Sequence, residues 1–333
     1  MAAHQTTTAT TAAARLEEVA ALADGVFQAM ASSVVGQRTV VRQLLAAILC
    51  GGHCLLEGVP GLAKTLIVRS LASTLGLSFG RIQFTPDLMP ADITGTEVLE
   101  EHPGDGSRSF RFLRGPVFAQ LLLADEINRA PPKTQSALLE AMQEGQVTAG
   151  GRQHLLPEPF VALATQNPIE QEGTYPLPEG QLDRFLFMLR IDYPAAAEEL
   201  EIVRRTTGEA GHKPAAVADA ETLLRASQTV RAVPLADHVM QACVDLARRT
   251  RPGDPLAPAW LEPLVAWGAG PRASQALALA AKATAAIEGR PCGELRDVRD
   301  AAHAVLRHRL VLSFEAQTER LTADAIIDRL LEE

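Results

Sequence analysis

At 333 residues the chain is long enough for about two domains with sizeable cores. Its 40 acidic against 31 basic residues leave a net charge of −9, a balance that argues against a general nucleic-acid surface, and 47% hydrophobic with 4% aromatic residues describes an alanine-rich helical protein. The Thr/Ala-rich start has no apolar secretory core, and the most apolar stretch, 44–56, is too short to span a membrane and contains His53, so the expected location is cytoplasmic. Cys50, Cys54, Cys243 and Cys292 form no CxxC pair and the eight histidines no metal spacing, a pattern of reduced thiols without a zinc site.

Residues 1–14 read as disordered, followed by helices over 15–30 (Leu16, Val19, Ala20, Leu22) and 39–49. The apolar run Cys54, Leu55, Leu56 then enters a loop with Gly58 and Gly61, and Lys64 and Thr65 open a helical pattern through Leu66, Ile67, Val68, Leu71 and Leu75. That order suits a nucleoside triphosphate. Glycines let the backbone of Gly58, Val59, Pro60, Gly61, Leu62, Ala63, Lys64, Thr65 and Leu66 wrap phosphates, and amides at a helix start point at negative charge. Lys64 reaches the outer phosphates and the Thr65 hydroxyl can ligate Mg²⁺. The pattern asks for glycine before the lysine; this chain has Ala63, small enough to sit in the first helical turn.

Strand-like segments 96–100 and 109–113 flank the turn-rich stretch 102–106, which predicts a projecting β-hairpin, and 146–156 around Gly150 and Gly151 predicts a second. Each is either a contact element or a plain surface hairpin. The continuously apolar run 121–124 predicts a strand buried on both faces, ending in Asp125 and Glu126 at the edge where ligands bind in open α/β sheets. Asp125 is the candidate Mg²⁺ carboxylate and Glu126 the general base that polarises water. A further strand from Phe160 ends at Asn167, an uncharged group suited to holding water or a terminal phosphate.

Strand and helix signals alternate to about residue 191, the signature of an α/β fold with a doubly wound parallel sheet. A polar Gly/Pro stretch, 206–214, marks a boundary between an α/β domain (15–205) and an all-α domain (206–333). Helices are predicted over 220–230, 235–249, 257–267, 273–287, 295–310 and 323–331, with Trp260 and Trp267 as packing residues of the core.

Taken together, the loop 58–65 and the segments 84–95, 125–144, 164–179 and 181–185 resemble the MoxR family of AAA+ ATPases, over most of residues 35–190. The segment Gly268 to Ser274 extends the likeness, although the family more often has serine where Gly270 stands. The resemblance implies ATP hydrolysis with Mg²⁺, a helical lid over nucleotide, and a ring, most simply a hexamer. Under it Arg184 is similar to the arginine finger that reaches a neighbour's γ-phosphate, with Arg129 the alternative subunit-crossing cation. Arg272 resembles the second sensor, a lid arginine that contacts nucleotide, and Gln37 either lines the adenine pocket or caps a helix. The family further implies chaperone-like remodelling or metal and cofactor insertion, with von Willebrand A-domain partners. A nucleotide-gated scaffold with little turnover and the motor subunit of a metal chelatase are the competing readings.

Overall fold

A computed structural model describes residues 2–101, 108–168, 173–208 and 214–333. The turn predicted at 102–106, residues 169–172 of the family-like segment and most of the boundary stretch 206–214 lie outside the described residues. Helix α1 (Ala2–Ser33) starts well before the predicted residue 15. Six alanines among the first 14 residues favour helix, and a nucleated helix propagates cooperatively into such sequence. Its buried stripe Val19, Ala23, Val26 and Met30 recurs at helical spacing. A break follows at Val34 to Gln37, then α2 (Arg38–Cys50), closed by Gly51 in the left-handed conformation.

The α/β unit runs β1 (Cys54–Glu57), α3 (Lys64–Thr74), β2 (Phe79–Gln83), the short α4 (Pro90–Thr94), the hairpin β3 (Gly95–Glu101) and β4 (Arg108–Arg114), and β5 (Leu121–Asp125). It continues with α5 (Pro132–Glu144), the hairpin β6 (Gln146–Ala149) and β7 (Arg152–Leu155), β8 (Val161–Gln166), the single turn α6 (Glu179–Leu182) and β9 (Phe187–Arg190). Five strands form one sheet in the order β2-β5-β8-β1-β9. All four pairings are parallel, and both predicted hairpins are antiparallel ribbons outside that sheet. Successive side chains alternate between two cores. Leu56, Leu121, Leu123 and Leu163 join the face covered by α1 to α3. Leu55, Leu122, Ala124, Ala162 and Ala164 join the face covered by α5.

The C-terminal helices are α7 (Ala196–Thr206), α8 (Ala220–Ala232), α9 (Asp237–Arg249), α10 (Pro271–Ile287) and α11 (Leu295–Leu306). A two-stranded ribbon, β10 (Val265–Trp267) and β11 (Val311–Leu312), and the helices α12 (Phe314–Thr318) and α13 (Ala323–Glu332) complete the unit. One hydrophobic cluster runs unbroken from the sheet face through α2 into α8, α10 and α11.

The predicted helix 257–267 is a 3-10 turn (Ala259–Leu261) followed by β10, because Pro258 and Pro263 each remove an amide donor and crowd the preceding turn. Trp267 therefore lies on the ribbon, paired with Val311, and is 71% exposed instead of buried in the core. Trp260 is half-buried; its indole donates to Glu333 (2.7 Å) and its face carries the Arg329 guanidinium. The predicted helix 295–310 ends at Leu306, and Arg307–Arg309 turn inward as a 3-10 turn.

Candidate active site

The end of β1 delivers the loop to the carboxyl edge of the sheet. Gly58 donates its amide to the Gln166 carbonyl (3.4 Å), and a Cβ there would sit 2.7 Å from the Ile191 carbonyl oxygen, so only glycine fits. Gly61 has φ +87°, a conformation that favours glycine, and a Cβ there would meet open space. Helix α3 begins at Lys64, and Ala63 is its N-cap at φ 55°, ψ 22°. Ala63 therefore does not occupy the first helical turn, as expected from its size, but holds a left-handed conformation that costs an alanine roughly 1–2 kcal/mol. The free amides of the first turn, Lys64 to Leu66, open onto the loop, and the Lys64 ammonium donates to the carbonyls of Gly58 and Val59 (3.0 Å to Val59). Burial lowers the Lys64 pKa, and the negative charges of Asp125 and Glu126 offset part of that shift.

Asp125 closes β5 and is buried. Its Oδ1 accepts from the Thr165 hydroxyl (2.7 Å) and its Oδ2 from Arg81 (2.8 Å). The same Thr165 oxygen accepts the amide of Glu126 (2.8 Å), so one hydroxyl on β8 orients both carboxylate residues. Glu126 turns at φ 57°, ψ 50° and its Oε2 receives Gln83 (3.0 Å) and Arg129 (3.0 Å). Asn167 follows β8 on the same edge and is buried. Thr65 is half-buried in the first turn of α3. Among the described residues four that are not glycine have positive φ; Gln37, Ala63 and Glu126 are three of them, so backbone strain gathers on the predicted site.

Gln37 donates to the Asp192 carbonyl (3.1 Å), one residue from the Ile191 carbonyl that faces Gly58. Phe27, Val34, Val35 and Val41 line a cavity of about 530 Å³ beside it. Asp24, Arg38 and Arg205 line it too and none of residues 58–66 does, so its link to the loop runs through Gln37, and its apolar side suits a flat heterocycle.

Arg184 and Arg272 lie elsewhere. Strands β1 and β9 are parallel and pair Cys54 with Phe187 at their starts. The segment Asp183 to Leu186 just before β9 is therefore at the amino edge, beside Gly52 and His53. There Arg184, Arg231, Arg272 and Arg309 line a cavity of about 310 Å³ that none of the loop residues 58–66 touches. The four-residue strand β1, about 13 Å long at ~3.3 Å per residue, separates the two edges. Arg272 pairs with Asp183 (3.9 Å), and Arg184 bonds the Gln143 side chain. Arg129, by contrast, sits against Glu126 on the carboxyl edge. The structure thus brings together Lys64, Asp125, Glu126 and Asn167 and keeps Arg184 and Arg272 apart from them.

Sequence reasoning passed over Thr165, Arg81 and Gln83. The last two share one face of β2 at i, i+2, with Gln83 in register with Asp125 and Arg81 with Leu123, a polar pair at a strand end that could have been noticed.

A parallel sheet in this order, with a phosphate loop after one strand and an Asp-Glu pair after another, defines a P-loop nucleotide-binding protein with a helical lid. Residues 53–187 match the model of the ATPase family associated with various cellular activities, and 259–330 that of the AAA lid domain. Chaperone MoxR1 of Mycobacterium tuberculosis is 45% identical, the alignment spanning 90% of this chain and 78% of that protein. Protein MoxR of Paracoccus denitrificans is 34% identical over 89% of this chain and 90% of that one. A solved structure from Cytophaga hutchinsonii superposes with a TM-score of 0.89 at 39% identity, over 98% of both chains. The chain belongs to the MoxR family of AAA+ ATPases. No helix among the described residues is long and apolar enough to cross a membrane.

Proposed function

We propose that this chain binds ATP on the loop 58–65 and hydrolyses it at interfaces between copies of itself, as the motor of a chaperone-like ring. The observation that carries the reading is the separation of the two charged edges. Lys64, Asp125, Glu126 and Asn167 face one way, and Arg184 and Arg272 the other. Phosphoryl transfer is accelerated mainly by positioning and by positive charge on the transferred group. A head-to-tail contact, which closes into a ring, sets one copy's arginine edge against the next copy's phosphate loop.

In this reading Lys64 and the first-turn amides of α3 hold the outer phosphates. Glu126 accepts a proton from the attacking water, and Asn167 orients that water. The residues fit a hard divalent cation: the Thr65 hydroxyl and the Asp125 carboxylate are oxygen donors, and Asp125 already receives a guanidinium cation at Oδ2. Bound Mg²⁺ supplies neutralisation of phosphate charge. The cavity beside Gln37 takes the base. Six copies, a von Willebrand A-domain partner and clients that acquire metal or cofactor follow from family likeness.

The test is steady-state ATP hydrolysis against protein concentration, with Glu126→Gln and Arg184→Ala beside the wild type. Specific activity is expected to rise with concentration, and both variants to lose on the order of 100-fold or more while still binding ATP. Equal turnover by all three at every concentration sinks the proposal. A second reading, a nucleotide-gated scaffold with little turnover, draws on the hold that Gln83 and Arg129 have on Glu126. It predicts ATP-dependent assembly without concentration-dependent hydrolysis.

A further inference from the structure

The turn Arg307–Arg309 grips the segment that carries Arg184. Arg309 is 7% exposed, and each of its five N–H groups meets an acceptor. Nε donates to Asp183 Oδ1 (2.7 Å) and Nη2 to the Phe185 (2.7 Å) and Asp183 (3.3 Å) carbonyls. Nη1 donates to the carbonyls of Leu186 (3.3 Å) and Val305. Four of the five acceptors therefore bracket Arg184. Next to it, His308 Nε2 bonds the Phe185 carbonyl (3.0 Å) and Arg307 the Met188 carbonyl (2.8 Å). Asp183 uses its other oxygen for Arg272 (3.9 Å), so Arg309 bears on both arginines of the amino edge through one carboxylate.

A buried ion pair is a weak source of stability, since desolvation offsets its attraction, whereas a fork with five fixed donors is a strong source of geometry. From this arrangement we infer that Arg309 is a positioning residue: it holds the 183–186 segment so that Arg184 and Arg272 present their charge to a neighbouring copy's phosphates. This rests on the reading of Arg184 as a subunit-crossing cation. Through Arg307 the same turn reaches Asp324 (2.6 Å), which also binds Arg190 (2.9 Å), itself paired with Glu57 (3.5 Å) at the foot of the phosphate loop. The lid turn thus contacts the segment that carries Arg184 directly, and is linked to the strand that bears the copy's own phosphate loop through the relay Asp324, Arg190 and Glu57.

The test uses Arg309→Lys, which keeps a cation beside Asp183 but replaces the fork with one ammonium. Its kcat is expected to fall on the order of 100-fold, with ATP affinity and far-UV circular dichroism as in the wild type. A 1:1 mixture with Lys64→Ala, which has a dead loop and an intact finger, is expected to recover activity at roughly one interface in four. If Arg309→Lys fails to fold, Asp183→Asn, which keeps shape and removes the charge, is put through the same assays with a fall of kcat expected. An unchanged kcat in Arg309→Lys overturns the inference. So does failure of its mixture to recover while the control mixture, Arg184→Ala with Lys64→Ala, does recover. If the control mixture itself stays inactive although both proteins assemble, the finger reading of Arg184 is what falls.

Discussion

Ala63→Gly is expected to stabilise this protein, although alanine to glycine within a helix does the opposite. Ala63 sits at φ 55°, ψ 22°, where its Cβ crowds the backbone at a cost of roughly 1–2 kcal/mol. The side chain is exposed, so deleting the methyl group forfeits no packing. Glycine removes the crowding but loosens the unfolded chain by about 0.4–1 kcal/mol. The net gain is therefore about 0.5–1 kcal/mol, which in a chain of 333 residues raises the melting temperature by only about 1 °C. Urea unfolding followed by circular dichroism measures it as a raised midpoint at constant slope. Were Ala63 instead the first residue of an ordinary helical turn, glycine would cost about 0.8–1 kcal/mol. The two accounts differ in sign, and a lowered midpoint refutes the left-handed assignment. ATP affinity is expected to hold, because Lys64 and the free amides of α3 are untouched.

Trp267→Ala is expected to change unfolding free energy by no more than about 0.5 kcal/mol, against ~3–5 kcal/mol for a tryptophan of the core; the same urea titration decides. His53 is enclosed between the Ala162 amide and the Met142 carbonyl, and burial pulls its pKa from 6.5 to about 4. Because the folded ring resists protonation, its stabilising share is present above pH 6.5 and is lost as pH falls toward 4. About 2 kcal/mol goes between pH 7 and 5, and the loss is expected to shrink by that amount in His53→Gln. An identical pH slope in variant and wild type would show that His53 titrates normally. Burial and the charges of Arg309 and Arg307 push His308 down too, so part of the slope persists in the variant.

The local pattern of residues was enough for the sheet, the phosphate loop and the Asp-Glu pair. Each is written in consecutive residues: an apolar run that must be buried on both faces, then polar groups that must lie at the strand's end. The runs at Cys54, Leu121 and Phe160 are of this kind, and so are the antiparallel segments that became β3 with β4 and β6 with β7. Side-chain volume alone misplaced Ala63, because a left-handed φ is imposed by where the loop must turn and not by the residue's own preference. Composition likewise put Trp267 in the core, where the prolines at 258 and 263 allowed only a turn and a ribbon.

Tertiary structure decided everything that depends on which edge of the sheet a residue reaches. Arg184 precedes β9 and Arg272 opens α10, so neither shares an edge with Lys64; their sequence positions carry no trace of that. Thr165, Arg81 and Gln83 became partners of Asp125 and Glu126 only through strand pairing across 39 to 44 residues. The bonds of Arg309 to Asp183 and Phe185 cross 124 to 126 residues. Such contacts are set by packing the whole chain, where burial selects which distant groups must satisfy one another. Hydrophobic periodicity records only what a residue's near neighbours require.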